Sequence, residues 1–318
     1  MFESLKAVAQ DAARLSDFRR LGPYAMCLAL SVISTPALPA EGGGLGNYGV
    51  GALTVASAFV PPPGQSQVAG YLLYFSADHF RGDSGKGDLI PDFSLDLFVE
   101  AAVFKHTWNF KIAGLNVSSA LLQEAAHVSL EAAGQSDKAT GNWALGIQPL
   151  ILSGAVGNLH FLSGSYFFFP AGDFDPDSLA NRGLNYLSFS QEIAFTWLPN
   201  AKWAFDLSTD ININGSNHDT KYRSGDVLGL TYAAAYRPSR APKWQFGVSG
   251  LYFEQYEDDE LNNQKVPGGF RTKKITGGPQ IAYWPTQASA IAFKWHHEFE
   301  VRNGPQGNQL WIQGAIPF

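Results

Sequence analysis

The chain ends on Leu310-Trp-Ile-Gln-Gly-Ala-Ile-Pro-Phe318. Counted back from the end, Phe318, Ile316, Gly314, Ile312 and Leu310 form a face that is apolar apart from its glycine. The positions between them, Pro317, Ala315, Gln313 and Trp311, are small or mixed. An alternation of period two is that of a strand with a different environment on each side. An edge strand of a soluble sandwich alternates too, because its outer face is solvated. The rest of the chain has to separate these two readings.

Composition favours a membrane barrel. The 318 residues are 45% hydrophobic and 14% aromatic, with 16% charged and 33 glycines. Mean hydropathy lies slightly below zero. A bundle of membrane helices needs several apolar runs of about 20 residues, and the only run that comes near lies at the N-terminus. In a transmembrane barrel, lumen-facing and lipid-facing residues alternate and their hydropathies cancel. A strand that places a terminal aromatic on its apolar face resembles the last strand of bacterial outer-membrane barrels, which the barrel assembly machinery reads. Phe318 is therefore the expected assembly signal, and outer-membrane lipid and lipopolysaccharide are expected surroundings. A net charge of -6 speaks against nucleic acid as a partner.

Residues 1–40 read as a cleaved signal peptide. Arg19 and Arg20 precede the apolar run Leu21 to Ile33, and Thr35-Pro-Ala-Leu-Pro-Ala40 supplies small residues for cleavage. The run is too short to span a membrane and fits an export signal. Cys27, the single cysteine, lies inside it, so the mature chain is expected to carry no thiol. Residues 41–66 follow as an irregular lead-in. They contain Gly42-Gly-Gly-Leu-Gly46, an apolar middle from Val50 to Val60, and Pro61-Pro-Pro-Gly64. Consecutive prolines cannot donate to a ladder and favour an extended polyproline path, and Gly64 can turn the chain into the first strand. No helix follows the glycines, so they do not form a phosphate cradle. A barrel of about twelve strands has a lumen too wide for side chains alone to fill. The lead-in, with Pro61, Pro62, Pro63 and Gly64 at its base, is expected either to plug it from the periplasmic mouth or to form a disordered tail, since terminal segments often fray.

Residues 67–318 are expected to form an all-β, antiparallel, up-and-down transmembrane barrel of about twelve strands. Trp203, Phe205, Leu207, Thr209, Ile211 and Ile213 oppose Ala204, Asp206, Ser208, Asp210, Asn212 and Asn214, the cleanest alternation in the chain. Trp197, Trp203, Trp244 and Trp284 flank short proline-bearing turns, as expected of an aromatic girdle at a membrane boundary. Longer polar connections are expected on the other side, at 78–90, 135–141, 171–183, 215–225 and 257–272. Residues 119–133 carry helix-favouring Ala, Leu and Glu, and the register drawn here turns Glu124 toward lipid and His127 and Ser129 toward the lumen.

Glu192, Asp206, Asp210, Lys294 and Glu298 share the polar face of their strands and are the candidate lumen and solute-path residues. There they either bias what passes or form ion pairs that only hold the barrel shut. His296 and His297 point to opposite sides of the pleat and cannot chelate one metal together. Asp173, Asp175 and Asp177, and the acidic run from Glu257 to Glu260, lack the glycine and distal glutamate of a calcium loop and read as solvated loop charges. His127-Val-Ser129 is the enzymatic candidate: histidine and serine two apart share a strand face, where a base can activate a nucleophile. It resembles the His-x-Ser of outer-membrane phospholipases and deacylases. Leu130 stands where those enzymes carry asparagine, and no third member of a triad is evident.

Several stretches taken together resemble one family. They are Pro61-Pro-Pro-Gly64, Gly157-Asn-Leu-His160, Tyr166-Phe-Phe-Phe-Pro-Ala-Gly-Asp-Phe-Asp175, Leu179-Ala-Asn181, Asp219-Thr-Lys-Tyr-Arg-Ser-Gly225 and Lys294-Trp-His-His-Glu-Phe-Glu-Val301. The family is the meta-pathway phenol-degradation group of Gram-negative outer-membrane proteins, in the branch resembling sphingosine-induced outer-membrane proteins. The resemblance spans about Glu41 to Phe318. It implies an outer-membrane channel for hydrophobic or aromatic small molecules, either phenol-type compounds or long-chain lipidic solutes. It implies no enzyme activity, no catalytic residue, no metal and no cofactor. A lipid esterase using His127 and Ser129, or a structural or adhesive surface barrel, are the other readings.

Overall fold

In the computed structural model, which describes residues 46–318, the chain forms a closed antiparallel barrel of twelve strands. The expected signal peptide, residues 1–40, lies outside the described residues. The first five strands are β1 (Ser66–Arg81), β2 (Ser94–Ile112), β3 (Leu115–Ala132), β4 (Gln135–Val156) and β5 (Leu159–Pro170). Then come β6 (Ser188–Trp197), β7 (Trp203–Asn214), the short β8 (Tyr222–Arg223), β9 (Val227–Tyr236) and β10 (Trp244–Gln255). The chain finishes with the short β11 (Glu260–Leu261) and β12 (Gln264–Lys265), then β13 (Lys273–Tyr283), β14 (Ala290–Arg302) and β15 (Gly304–Pro317). β8, β11 and β12 form a separate three-stranded sheet in the loops.

Each barrel strand pairs with its neighbour in sequence, and β1 closes the ring against β15 from Gln67↔Pro317 to Arg81↔Gly304. Closure leaves no unpaired edge, which a spanning sheet in hydrocarbon requires. At the seam, Ser66 and Phe318 exchange backbone bonds of 3.0 and 2.8 Å. The terminal strand behaves as its alternation predicts: Leu310, Ile312, Ile316 and Phe318 are exposed outward, while Trp311 and Gln313 are buried in the lumen.

The aromatic girdle sits beside the short turns. Trp197 stacks on Phe205 at 5.3 Å, Trp203 packs against Tyr236 at 5.0 Å, and Trp244 packs against Tyr283 at 4.9 Å. Trp284 is the exception. It turns inward at the mouth and donates its indole N–H to the buried Gln245.

Residues 119–132 form most of β3, as the twelve-strand reading expects, and burial against two neighbouring strands outweighs their helix-favouring composition. Two expectations are corrected. Residues 135–141 are the start of β4 and not a loop. The turn before them is the pair Ala133-Gly134, both at positive φ (51° and 78°), which suits a tight hairpin. Ala113-Gly114 repeats this on the other side of the barrel (49° and 83°). Glu124 points into the lumen, while His127 faces outward. A slip of one residue flips every side chain of a strand. β3 invites that error, because Ala120, Ala125, Ala126 and Ala132 leave its two faces alike.

Candidate functional site

The inner surface of the barrel has two characters. On β1 to β5 the inward residues form an apolar cluster containing Phe75, Leu97, Val128, Trp143, Tyr166 and Phe168. Ala180, Leu184 and Tyr186, from the loop after β5, are buried in the same cluster and cover it at the loop end. From β6 round to β14 the inward residues are mostly polar or small, Ser190, Thr196, Ser208, Asn212, Thr231, Thr276 and Gln280 among them, with Val227, Leu251 and Phe253 as an apolar patch. Both walls come from the same alternation, and the type of residue at the inward positions distinguishes them.

Residues 46–65 run through the lumen against the polar wall. Asn47 donates to the Ser188 hydroxyl at 3.0 Å, and the Gly51 amide donates to the Thr231 hydroxyl at 2.9 Å. Gln280 donates to the Thr54 carbonyl at 3.2 Å. The Ser57 amide donates to the Asp206 carboxylate at 2.8 Å, and the Ala58 amide to the Thr196 hydroxyl at 3.1 Å. An irregular segment cannot satisfy its own backbone, and here wall side chains do so. Near the periplasmic mouth, Phe59 stacks on His160 at 4.3 Å. Pro61, Pro62 and Pro63 then lead to Gly64, whose φ of +78° turns the chain into β1 while its amide bonds the Thr107 carbonyl.

All five candidate lumen residues are buried inside the barrel. Lys294 bonds the lumen segment, reaching the carbonyls of Gly51 and Ala52 at 2.7 and 2.9 Å, with its ammonium over the Trp311 ring. Asp206 receives both the Ser57 amide and the Thr196 hydroxyl. Glu192 and Asp210 face each other across β6 and β7, and Asn212 donates to Asp210. Glu298 is held by the Gly307 amide at 2.8 Å and by Gln309 at 3.1 Å, with Lys274 at 4.0 Å. The described residues thus show one lumen ion pair within 4.0 Å, not a network. Most of these charges serve to hold the lumen segment or to bond neighbouring strands.

Alternation alone did not single out Lys105, Lys274 or Glu124, all of which face the lumen. Lys274 and Lys105 were readable in principle, since each shares a face with apolar inward residues of its strand. Glu124 was not, for the reason given for β3.

The other candidates are dispersed. His296 is buried and shares a hydrogen bond of 2.8 Å with Ser249, whereas His297 faces outward beside Trp295 and Phe299. His127 pairs with Thr140 of β4 at 2.6 Å on the outer surface, and not with Ser129 of its own strand. In the loops, Asp173 pairs with Arg182 at 2.7 Å. Asp258 accepts from Arg271 at 2.6 Å and Lys265 at 3.1 Å, and these bonds hold its carboxyl below the usual carboxylate range.

Beside the lumen segment lies a cavity of about 610 Å³, to which the polar wall contributes Glu192, Thr196, Asp206 and Lys274, β15 contributes Gln309, and the apolar wall the larger part. Tyr71, Leu73, Phe75, Leu97, Val99 and Val103 line it from the wall, and Tyr48, Val50, Leu53, Val55 and Val60 from the segment. Its lining continues down to Pro61, Pro62 and the mouth residues Trp284 and Gln287.

The sequence matches the family described as "Putative MetA-pathway of phenol degradation" over residues 81–313. No curated protein matches it. Among solved structures, an outer membrane channel from Pseudomonas putida F1 superposes with a TM-score of 0.72 at 16% identity, over 83% of this chain and 98% of that one. The β domain of the Bordetella autotransporter BrkA gives a TM-score of 0.49 at 9% identity, over 80% and 99% of the two chains.

Proposed function

The chain belongs to the family of the MetA-pathway of phenol degradation, and from that premise we propose that its outer-membrane barrel passes hydrophobic or aromatic small molecules along the apolar wall. The observation that carries this reading is the placement of the cavity. The lumen segment bonds to the polar wall, and the space beside it is lined mostly by apolar residues, among them Leu73, Phe75, Leu97, Val99 and Phe168. A sugar lying against those residues would leave water without regaining all its partners, at a cost of several kcal/mol for each unpaired polar group. An aromatic solute gains from the same burial, roughly 25 cal/mol per Å² of apolar surface. Phenol-type compounds and longer lipidic solutes both fit this chemistry.

The barrel acts here as a path and not as an enzyme. His127 is bonded to Thr140, and its neighbour Ser129 lies opposite Asp96 on the outer surface. Lipid or ester hydrolysis that disappears in Ser129→Ala would restore the esterase reading.

The test is uptake into proteoliposomes, comparing phenol with a pentose. Val99→Asp, on the apolar wall, should abolish the advantage of phenol, while Ser208→Ala, buried on the polar wall, should leave it intact. Pentose entering as fast as phenol in the unmodified protein would sink the proposal.

A further inference from the structure

Glu124 is 6% exposed and lines the cavity from the middle of β3. No donor among the described residues bonds its carboxyl, whereas Glu298 and Asp206 are each held by protein donors. Its place follows from the pairing. β3 shifts register against β4 between Gln123 and Ala125, which sets Glu124 beside the buried Trp143 and Ala144. Next along the wall come Phe168 and Tyr166 of β5, 5.3 Å apart, with Tyr48 of the lumen segment 6.2 Å from Tyr166. Glu192 faces the same cavity from β6, opposite Gly164, over which the Gln148 side chain lies. Lys105 lies four residues down β2 from the partner of Glu124, a backbone offset of about 13 Å toward the periplasm, and its ammonium interacts with Glu192 rather than with Glu124.

A carboxyl without protein donors in a largely apolar cavity ionises there when a bound group supplies the opposite charge and the donors. Aromatic faces grouped beside a carboxylate attract a cation through their ring quadrupoles. Resting on the passage of apolar solutes along this wall, we propose that the cavity binds hydrophobic solutes bearing an ammonium group. The ammonium donates to Glu124 among Tyr48, Trp143, Tyr166 and Phe168, and the apolar body lies along Leu97, Val99 and Leu122. A hydroxyl at this point makes one hydrogen bond and leaves the charge unmatched. A carboxylate meets Glu124 and Glu192 with like charge.

The test is isothermal titration calorimetry of the whole mature barrel with three water-soluble probes of one shape: 2-phenylethylammonium, 2-phenylethanol and phenylacetate. The ammonium is expected to bind about tenfold or more tighter than the alcohol, and phenylacetate not measurably. Glu124→Gln should bring the ammonium to within about twofold of the alcohol and leave the alcohol unchanged, since shape and burial are kept. Glu192→Gln, which keeps Glu124 in place, should reduce the preference in part and carries the comparison if Glu124→Gln assembles poorly. Equal affinity of ammonium and alcohol in the unmodified barrel, or a preference that survives both substitutions, overturns the ammonium site and leaves the passage of apolar solutes standing. Failure of ammonium and alcohol alike to bind overturns the passage reading itself, and the site with it.

Discussion

The Lys294 ammonium stands 2.7 Å from the carbonyl oxygen of Gly51, and so joins the barrel wall to the segment that crosses its lumen. A second carbonyl, that of Ala52, lies 2.9 Å from the same nitrogen. Lys294 is thus a clamp on the segment as well as a lumen charge. Replacing it by methionine keeps the length of the side chain and removes the donors. Hydrogen bonds from a charged donor are worth about 1.5–3 kcal/mol each, so Lys294→Met, which removes two, should weaken the hold by about 3 kcal/mol, a factor of about one hundred and fifty in seating. Single-channel recordings should show more frequent opening. An unchanged open fraction in a correctly folded barrel would show that the clamp does not govern access.

Removing residues 41–64 behind an intact leader should have a larger effect. The polar wall would lose the partners that Ser57, Ala58 and Gly51 provide, and water would replace them. Conductance in planar bilayers should rise to that of an open, water-filled barrel, and selectivity for apolar solutes should fall. If conductance stays the same while heat-modifiable mobility shows a folded barrel, the segment is no constriction.

Phe318 closes the barrel seam through its backbone bonds to Ser66 and packs its ring 6.4 Å from Phe104. Phe318→Asp places a charge on a lipid-facing position near the membrane boundary, where charges cost up to about 1 kcal/mol, and it removes the terminal aromatic. Membrane fractions should contain much less folded barrel, while Phe318→Tyr should behave as the unmodified protein. Equal assembly of the Asp and Tyr variants would remove the terminal side chain from the assembly signal.

The loop after β10 should respond to acid. Arg271 and Lys265 hold the Asp258 carboxyl below its ordinary range. A depressed folded value contributes stability above the unfolded carboxylate pKa of about 3.9, and that contribution is lost as pH falls through the folded value. Hydrogen-exchange protection over residues 256–272 should therefore stay constant from neutral pH down to about 4 and fall below that. Asp258→Asn should show the weaker protection at every pH. Loosening between pH 5 and 7 would point to another group.

The sequence by itself determined the class of fold. Leu310, Ile312, Ile316 and Phe318 must face one way, and Asp206, Ser208 and Asp210 the other, because a pleated strand has no third direction. Where the two faces differ in polarity, the direction is fixed locally. That is why the five lumen charges, the outward terminal strand and the girdle around Trp197, Trp203 and Trp244 were legible. Where the faces are alike, as among the alanines of β3, nothing local decides, and Glu124, His127 and Ser129 were placed on the wrong sides. The Ala-Gly turns escaped for a related reason: only the pairing of β3 with β4 forces Ala133 to positive φ.

Tertiary structure decided what the lumen is. Residues 46–65 carry no periodicity that assigns them to one wall. From Asn47 to Ala58 their bonds to the wall reach partners from Ser188 to Gln313, well over a hundred residues away, and those partners converge only when the ring closes. The same closure sets the inward faces of β1 to β5 opposite the occupied polar wall. The space left beside them, and the unpartnered carboxyl of Glu124 within it, exist only because twelve strands curve round to meet.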